Sequence, residues 1–185
     1  MTLSRFFVPL AAGIAAFPAI AAVTTVGNSA ARSCYEAADS KTGAAATALS
    51  DCDRALAAEA LSRDEMVATY VNRGILRMRK GDIDAAIEDF DTALARDASQ
   101  PEAYLNKAVA LMQRPGEADA ALSLFTVAIQ KRTRRPALAY LGRAMAYEEL
   151  GNLRSAYSDY RSASLADPEW KQPRMELARF KVKSE

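Results

Sequence analysis

Small and apolar residues recur along residues 63–170 with the three-and-four spacing of a helix face, and the spacing is itself repeated. Tyr70–Val71–Asn72–Arg73–Gly74, Tyr104–Leu105–Asn106–Lys107–Ala108 and Tyr140–Leu141–Gly142–Arg143–Ala144 are three versions of one segment. Each is followed by a turn glycine (Gly81, Gly116, Gly151) and then by an alanine–aromatic–alanine trio. The trios are Ala86/Phe90/Ala93, Ala121/Phe125/Ala128 and Ala156/Tyr160/Ala163. Steps of four and three put each trio on one face of a second helix. The pattern predicts helix pairs joined at the glycines. No window alternates apolar and polar residues over strand length, so no sheet is expected. Tyr70 and Tyr104 lie 34 residues apart, Tyr104 and Tyr140 36. The longer interval has two candidate insertion points, the turn Gln113–Arg114–Pro115–Gly116 and the run Lys131–Arg135. A period of this size marks stacked copies of one unit.

The residue types fit that arrangement. Gly74 and Ala86 are small where two helix backbones must cross closely, and Phe90, Phe125 and Tyr160 fill the wedge beside the crossing. Ser62 with Glu65, and Ser99 with Glu102, read as capping boxes, with Pro101 accommodated in a first turn. Asp82 and Asn152 follow their glycines as N-caps of second helices.

These features resemble tetratricopeptide repeats, 34-residue helix–turn–helix units. The resemblance rests on the small residue at repeat position 8 (Gly74, Ala108, Ala144), the turn glycine, the trio and Pro168 closing the third copy. Tyrosine replaces the usual tryptophan at position 4, and Arg73, Lys107 and Arg143 replace leucine at position 7. The resemblance implies an all-α fold: a right-handed superhelix of antiparallel helix pairs. It divides the chain into a leader (1–22), a degenerate N-terminal hairpin (23–62), three repeats (about 67–100, 101–136 and 137–170, within 63–170) and a capping helix (171–185).

The ends differ in kind. Arg5 followed by an apolar run from Phe6 to Ala22 and the small-x-small site Ala19–Ile20–Ala21 read as a secretory signal peptide cleaved after Ala21. Pro9 and Pro18 suit a cleaved signal better than a retained anchor, the alternative. The alanine-rich composition points to a bacterium, so the expected destination is the periplasm or beyond, with no membrane attachment after cleavage. The only cysteines, Cys34 and Cys52, lie nine residues on either side of Gly43. An even count in an exported chain favours a disulfide, with two buried thiols as the alternative. Ala48, Cys52 and Ala55 take the places of the trio, which makes residues 29–60 a degenerate first repeat. Pro173 to Lys183 reads as an amphipathic helix able to cover the last repeat.

Charge and chemistry narrow the function. The net charge is +1, and loss of Arg5 with the leader leaves 23 basic against 23 acidic residues. That balance gives no reason to expect nucleic-acid binding. There is no histidine, which removes the commonest general base, the usual metal ligand and any Ser-His or Cys-His nucleophile. No phosphate loop or CxxC motif is present. The expectation is a chain without catalysis, metal or cofactor, whose partner is a protein or peptide.

In tetratricopeptide arrays the first helices line a concave groove. Mapped by repeat position, its floor here is Val71, Ile75, Leu105, Val109, Leu141 and Met145, with Met78, Met112 and Arg79 at one edge and Glu148 on that edge in the third copy. Asn72 and Asn106 share one repeat position. The resemblance implies an asparagine ladder whose amides bond the backbone of an extended peptide, against a plain helix-end or inter-repeat hydrogen bond as the alternative; Gly142 interrupts it. The carboxylate clamp of chaperone-binding arrays would need lysine and asparagine where Val71 and Ile75 stand. Arg73, Lys107 and Arg143 are expected to pair with acids such as Asp51, Asp89 and Asp159, and Lys131–Arg135 to be a solvated basic loop. The reading is a periplasmic scaffold or adaptor. The alternatives are a self-associating structural protein and a regulatory module for an envelope enzyme or assembly complex.

Overall fold

The computed structural model of the protein describes residues 3–5, 22–24, 29–40, 45–58 and 60–182. In chain order the elements are β1 (Leu3–Arg5), α1 (Ser29–Asp39), α2 (Ala45–Ala58), α3 (Arg63–Arg79), α4 (Ile83–Arg96), α5 (Pro101–Leu111), α6 (Ala118–Gln130), α7 (Pro136–Glu149), α8 (Leu153–Ala166), α9 (Lys171–Leu177) and β2 (Phe180–Val182). Consecutive helices pack on one another, and α1, α3, α5 and α7 also lie side by side, so four hairpins stack in sequence order. This is the expected all-α superhelix, with α1–α2 as the degenerate first pair. The apolar run from Phe6, apart from its last residue Ala22, and the proposed turn at Gly43 lie outside the described residues. Among the described residues, no helix is long and apolar enough to cross a membrane.

The turn glycines behave as their spacing predicts. Gly81, Gly116 and Gly151 have φ of 87°, 81° and 78°, a left-handed conformation that glycine adopts without steric cost. After α3 and α7 the same closure forms twice, with Asp82 N–H donating to the Arg77 carbonyl and Asn152 N–H to that of Tyr147. Both candidate insertion points are irregular. Helix α5 ends early at Leu111 and runs through a wider turn to Gly116. The α6–α7 connection carries Arg132 at φ 59°. The trio residues are buried throughout. A Cβ on Gly74 would lie 2.5 Å from Phe90 Cε1, so the close crossing inferred from small residues is real.

Cys34 and Cys52 form a disulfide across α1 and α2, with Cα atoms 4.9 Å apart. The Ser62–Glu65 capping box forms in full, and Asn152 Oδ1 accepts from Ser155 N–H. Two expected caps do not form. Asp82 makes no side-chain cap bond. Ser99 bonds Asp97 instead of capping α5, because Glu102 is buried and committed elsewhere. Its Oε1 accepts from Arg134 N–H at 2.9 Å and Thr133 Oγ1 at 3.4 Å, tying the α6–α7 connection to α5.

The C-terminal end also departs from expectation. The capping helix anticipated over 171–185 is only Lys171–Leu177, and the chain then turns into β2, which pairs antiparallel with β1 (Arg5 opposite Phe180). A three-residue ribbon therefore stands where no sheet was expected. Two side chains anchor this segment to the last repeat. Arg179 reaches back to Glu148. Phe180 lies against Tyr157 and Tyr160, with ring centroids 5.8 and 5.9 Å apart.

Candidate peptide-binding site

The face of α3 that meets the neighbouring first helices carries Val67, Val71, Ile75 and Met78 at helical spacing, with Asn72 beside them. All five are buried, as are Leu105, Asn106 and Val109 on α5 and Leu141 on α7. The expected groove floor is thus part of the core. Its one partly exposed floor residue is Met145, and Met112 at the edge is also partly exposed.

One stretch of backbone lies on this face. The Val23 N–H donates to Asn72 Oδ1 at 2.9 Å, and Asn72 Nδ2 donates to the Val23 carbonyl at 2.8 Å. Both backbone groups of one residue are satisfied by one side-chain amide. Ala22 and Val23 pack partly buried against the core cluster that holds Val71, Ile75 and Leu105. Thr24 is exposed. Asn106 is fully buried, and its Oδ1 accepts no hydrogen bond among the described residues. Beside Val23 and Thr24 an open pocket of about 600 Å³ reaches the start of α3 and the α4–α5 connection, lined also by Ser62, Asp64, Glu65, Val67, Asp97 and Gln100. Hydrogen bonds from Ser62 and Ser99 hold Glu65 and Asp97 respectively below the ordinary carboxylate range, so both stay ionised at neutral pH.

Three candidate residues serve other tasks. Arg79 donates to the carbonyls of Ala37, Ala38 and Ser40 at the end of α1, which satisfies carbonyls that a helix end leaves unbonded. Glu148 accepts from Tyr160 Oη at 2.7 Å and from Arg179 at 2.8 Å. Burial, with the bond to Glu148 next, pushes the Tyr160 hydroxyl far above its ordinary pKa. Met78 is interior. None of the three offers a free group to a ligand in this arrangement.

The basic residue of each repeat pairs with acids of second helices as expected, and two of those acids, Asp53 and Asp91, were not among the ones anticipated. Arg73 grips both oxygens of Asp89 and also reaches Asp53; Asp51 pairs with Arg54 instead. Lys107 meets Asp91 and Arg143 grips Asp159. Burial opposes the charge on Arg73, and its carboxylate partners outweigh that opposition, holding its pKa above the ordinary value. Among the described residues, no group of three or more potential ligands could hold a metal ion.

Tetratricopeptide repeat models match residues 71–136 and 137–169, together more than half of the chain. The protein belongs to the tetratricopeptide repeat family. Solved structures similar to this tetratricopeptide chain include the Arabidopsis OM64 TPR domain, at TM-score 0.60 and 21% identity over 64% of this chain and 96% of that one. The first TPR of Spaghetti (RPAP3), bound to the HSP90 peptide SRMEEVD, aligns at TM-score 0.57 and 24% identity over 62% of this chain and 89% of that one. MamA aligns at TM-score 0.60 and 23% identity over 70% and 72%. At these identities the likeness concerns the fold. No curated protein sequence matches the chain.

Proposed function

We propose that the protein is a non-catalytic interaction scaffold of the bacterial periplasm that receives a partner as extended backbone in the groove of its first helices. As a tetratricopeptide protein it is of a kind built for protein–protein contact. The observation that carries the finer reading is the two-way bond between Asn72 and the backbone of Val23. A side-chain amide offers a donor and an acceptor on one rigid plane, which is what a peptide bond presents. Such a rung binds main chain, so side-chain preference must come from its surroundings. Those include Asp64, Glu65 and Asp97, which line the adjoining pocket and make it acidic. Stacked repeats hold the amide in place beforehand, so little ordering entropy opposes binding. The periplasmic assignment rests on the leader sequence and on the Cys34–Cys52 bridge, which suits an oxidising compartment.

Cross-linking in intact cells followed by mass spectrometry should recover a partner through a terminal or extended segment. A chain carrying Asn72→Ala and Asn106→Ala should recover about tenfold less of it while keeping its helical circular dichroism. Equal recovery would remove the asparagines from the reading.

A further inference from the structure

We propose that residues Ala22–Thr24 are a resident ligand of the groove: the chain's own extended segment occupies the Asn72 rung, and a partner binds by displacing it. This rests on the reading of the groove as a receptor for extended peptide and names its occupant in the unliganded protein.

The form of the contact sets this segment apart from an ordinary linker. A linker on its way into α1 needs no specific partner. Here both main-chain groups of Val23 are taken by one amide, 49 residues away in sequence. Bonds made only to main chain do not depend on which residue supplies it, so another extended peptide can take the same place. The side chains add little: Ala22 and Val23 are small and only partly buried, and Thr24 is exposed. The hold is therefore weak enough to be exchanged. It also keeps the buried Asn72 amide satisfied when no partner is present, and a buried amide without partners is unfavourable. Being attached to the chain, the segment competes at a high local concentration. The open pocket beside Val23 and Thr24 leaves a path by which an incoming peptide can meet Ser62 and Asp97 before it displaces Val23. Cleavage of the leader after Ala21 would make this segment the free N-terminal end of the exported chain.

Hydrogen exchange on the full chain tests the contact itself. The Val23 amide should exchange about tenfold or more slowly than in a free peptide of residues 22–28. Asn72→Ala should abolish that protection while the amides of α5 and α7 keep theirs. Exchange at the free-peptide rate would overturn the proposal. Displacement is tested with the fluorescein-labelled peptide Ala-Val-Thr-Thr-Val-Gly-Asn and fluorescence anisotropy. Val23→Pro removes the N–H that Asn72 accepts, so the variant should bind the peptide about tenfold or more tightly than the parent chain. Adding Asn72→Ala should remove the gain. Equal, Asn72-dependent binding by parent and Val23→Pro would overturn the resident-ligand proposal and leave the groove reading standing. Absence of binding by both would overturn the two together.

Discussion

Gly142 stands where Asn72 and Asn106 stand in the earlier repeats, and Phe125 of α6 fills the space beside it. A Cβ at Gly142 would lie 2.3 Å from Phe125 Cζ and 2.5 Å from Cε1, and Phe125 is fully buried. A side chain as large as asparagine is therefore opposed at Gly142 by packing. Gly142→Ala should destabilise the protein by roughly 1–3 kcal/mol, the ordinary cost of overpacking a filled site. Combined with Phe125→Leu it should cost less than the two single changes added together, since both act on one contact. Urea denaturation of the four chains measures this, and a neutral Gly142→Ala would contradict the contact. The sequence shows the missing asparagine but not this contact, because Phe125 belongs to the preceding repeat. Another pair of departures was legible only separately. Tyrosine at position 4 and a basic residue at position 7 meet in two repeats, with Arg73 5.3 Å from the Tyr70 ring centroid and Arg143 5.6 Å from that of Tyr140. In the second repeat Lys131 takes that role over Tyr104, at 5.8 Å. A cation over an aromatic face is attractive, so the two substitutions support each other.

At the level of elements, helix pairs with a positive-φ glycine between them were readable because each rests on local chemistry repeated three times. The C-terminal end is shorter as a helix than its local pattern predicts, for the opposite reason. Its apolar residues fit a helix, yet Met175 stays 68% exposed, while Phe180 leaves the helix to cover α8. What decides this is Arg179 meeting Glu148, 31 residues away, a pairing that no local pattern announces. The same contact withdraws Glu148 from the groove edge. Phe180→Ala should cost roughly 3 kcal/mol, in the range for truncating a buried aromatic. The loss should be confined to the last pair, because a stacked array transmits stability chiefly between neighbours. Hydrogen exchange should speed up in α8 and α9 and stay unchanged in α3 and α4. Equal acceleration along the chain would show that the C-terminal segment supports the whole array.

Across the whole molecule the apolar interior falls into two main clusters. One runs from Cys34 through Ala139 and the other from Leu141 to Phe180, with Trp170 packed on both. The disulfide sits at the far end of the first. The bridged cysteines are 18 residues apart, and closing a loop of that size stabilises by about 3 kcal/mol in the chain-entropy model. In an array of nearest-neighbour contacts that contribution belongs to α1 and α2, which meet the remainder through α3. Three bonds from Arg79 hold the end of α1 to that helix, so the reduced hairpin should loosen without detaching outright. Exchange measured with and without a phosphine reductant should show α1 and α2 amides released about a hundredfold faster, the rate equivalent of roughly 3 kcal/mol. Those of α5 to α8 should be unaffected. The distinction bears on the groove, because the segment that meets Asn72 precedes α1 by a few residues in sequence. If loosening stays within the first pair, the backbone at Val23 can leave its rung while the repeats that form the groove remain folded. If exchange rises uniformly, the array opens as one unit, and a groove that empties only by unfolding could not receive a partner.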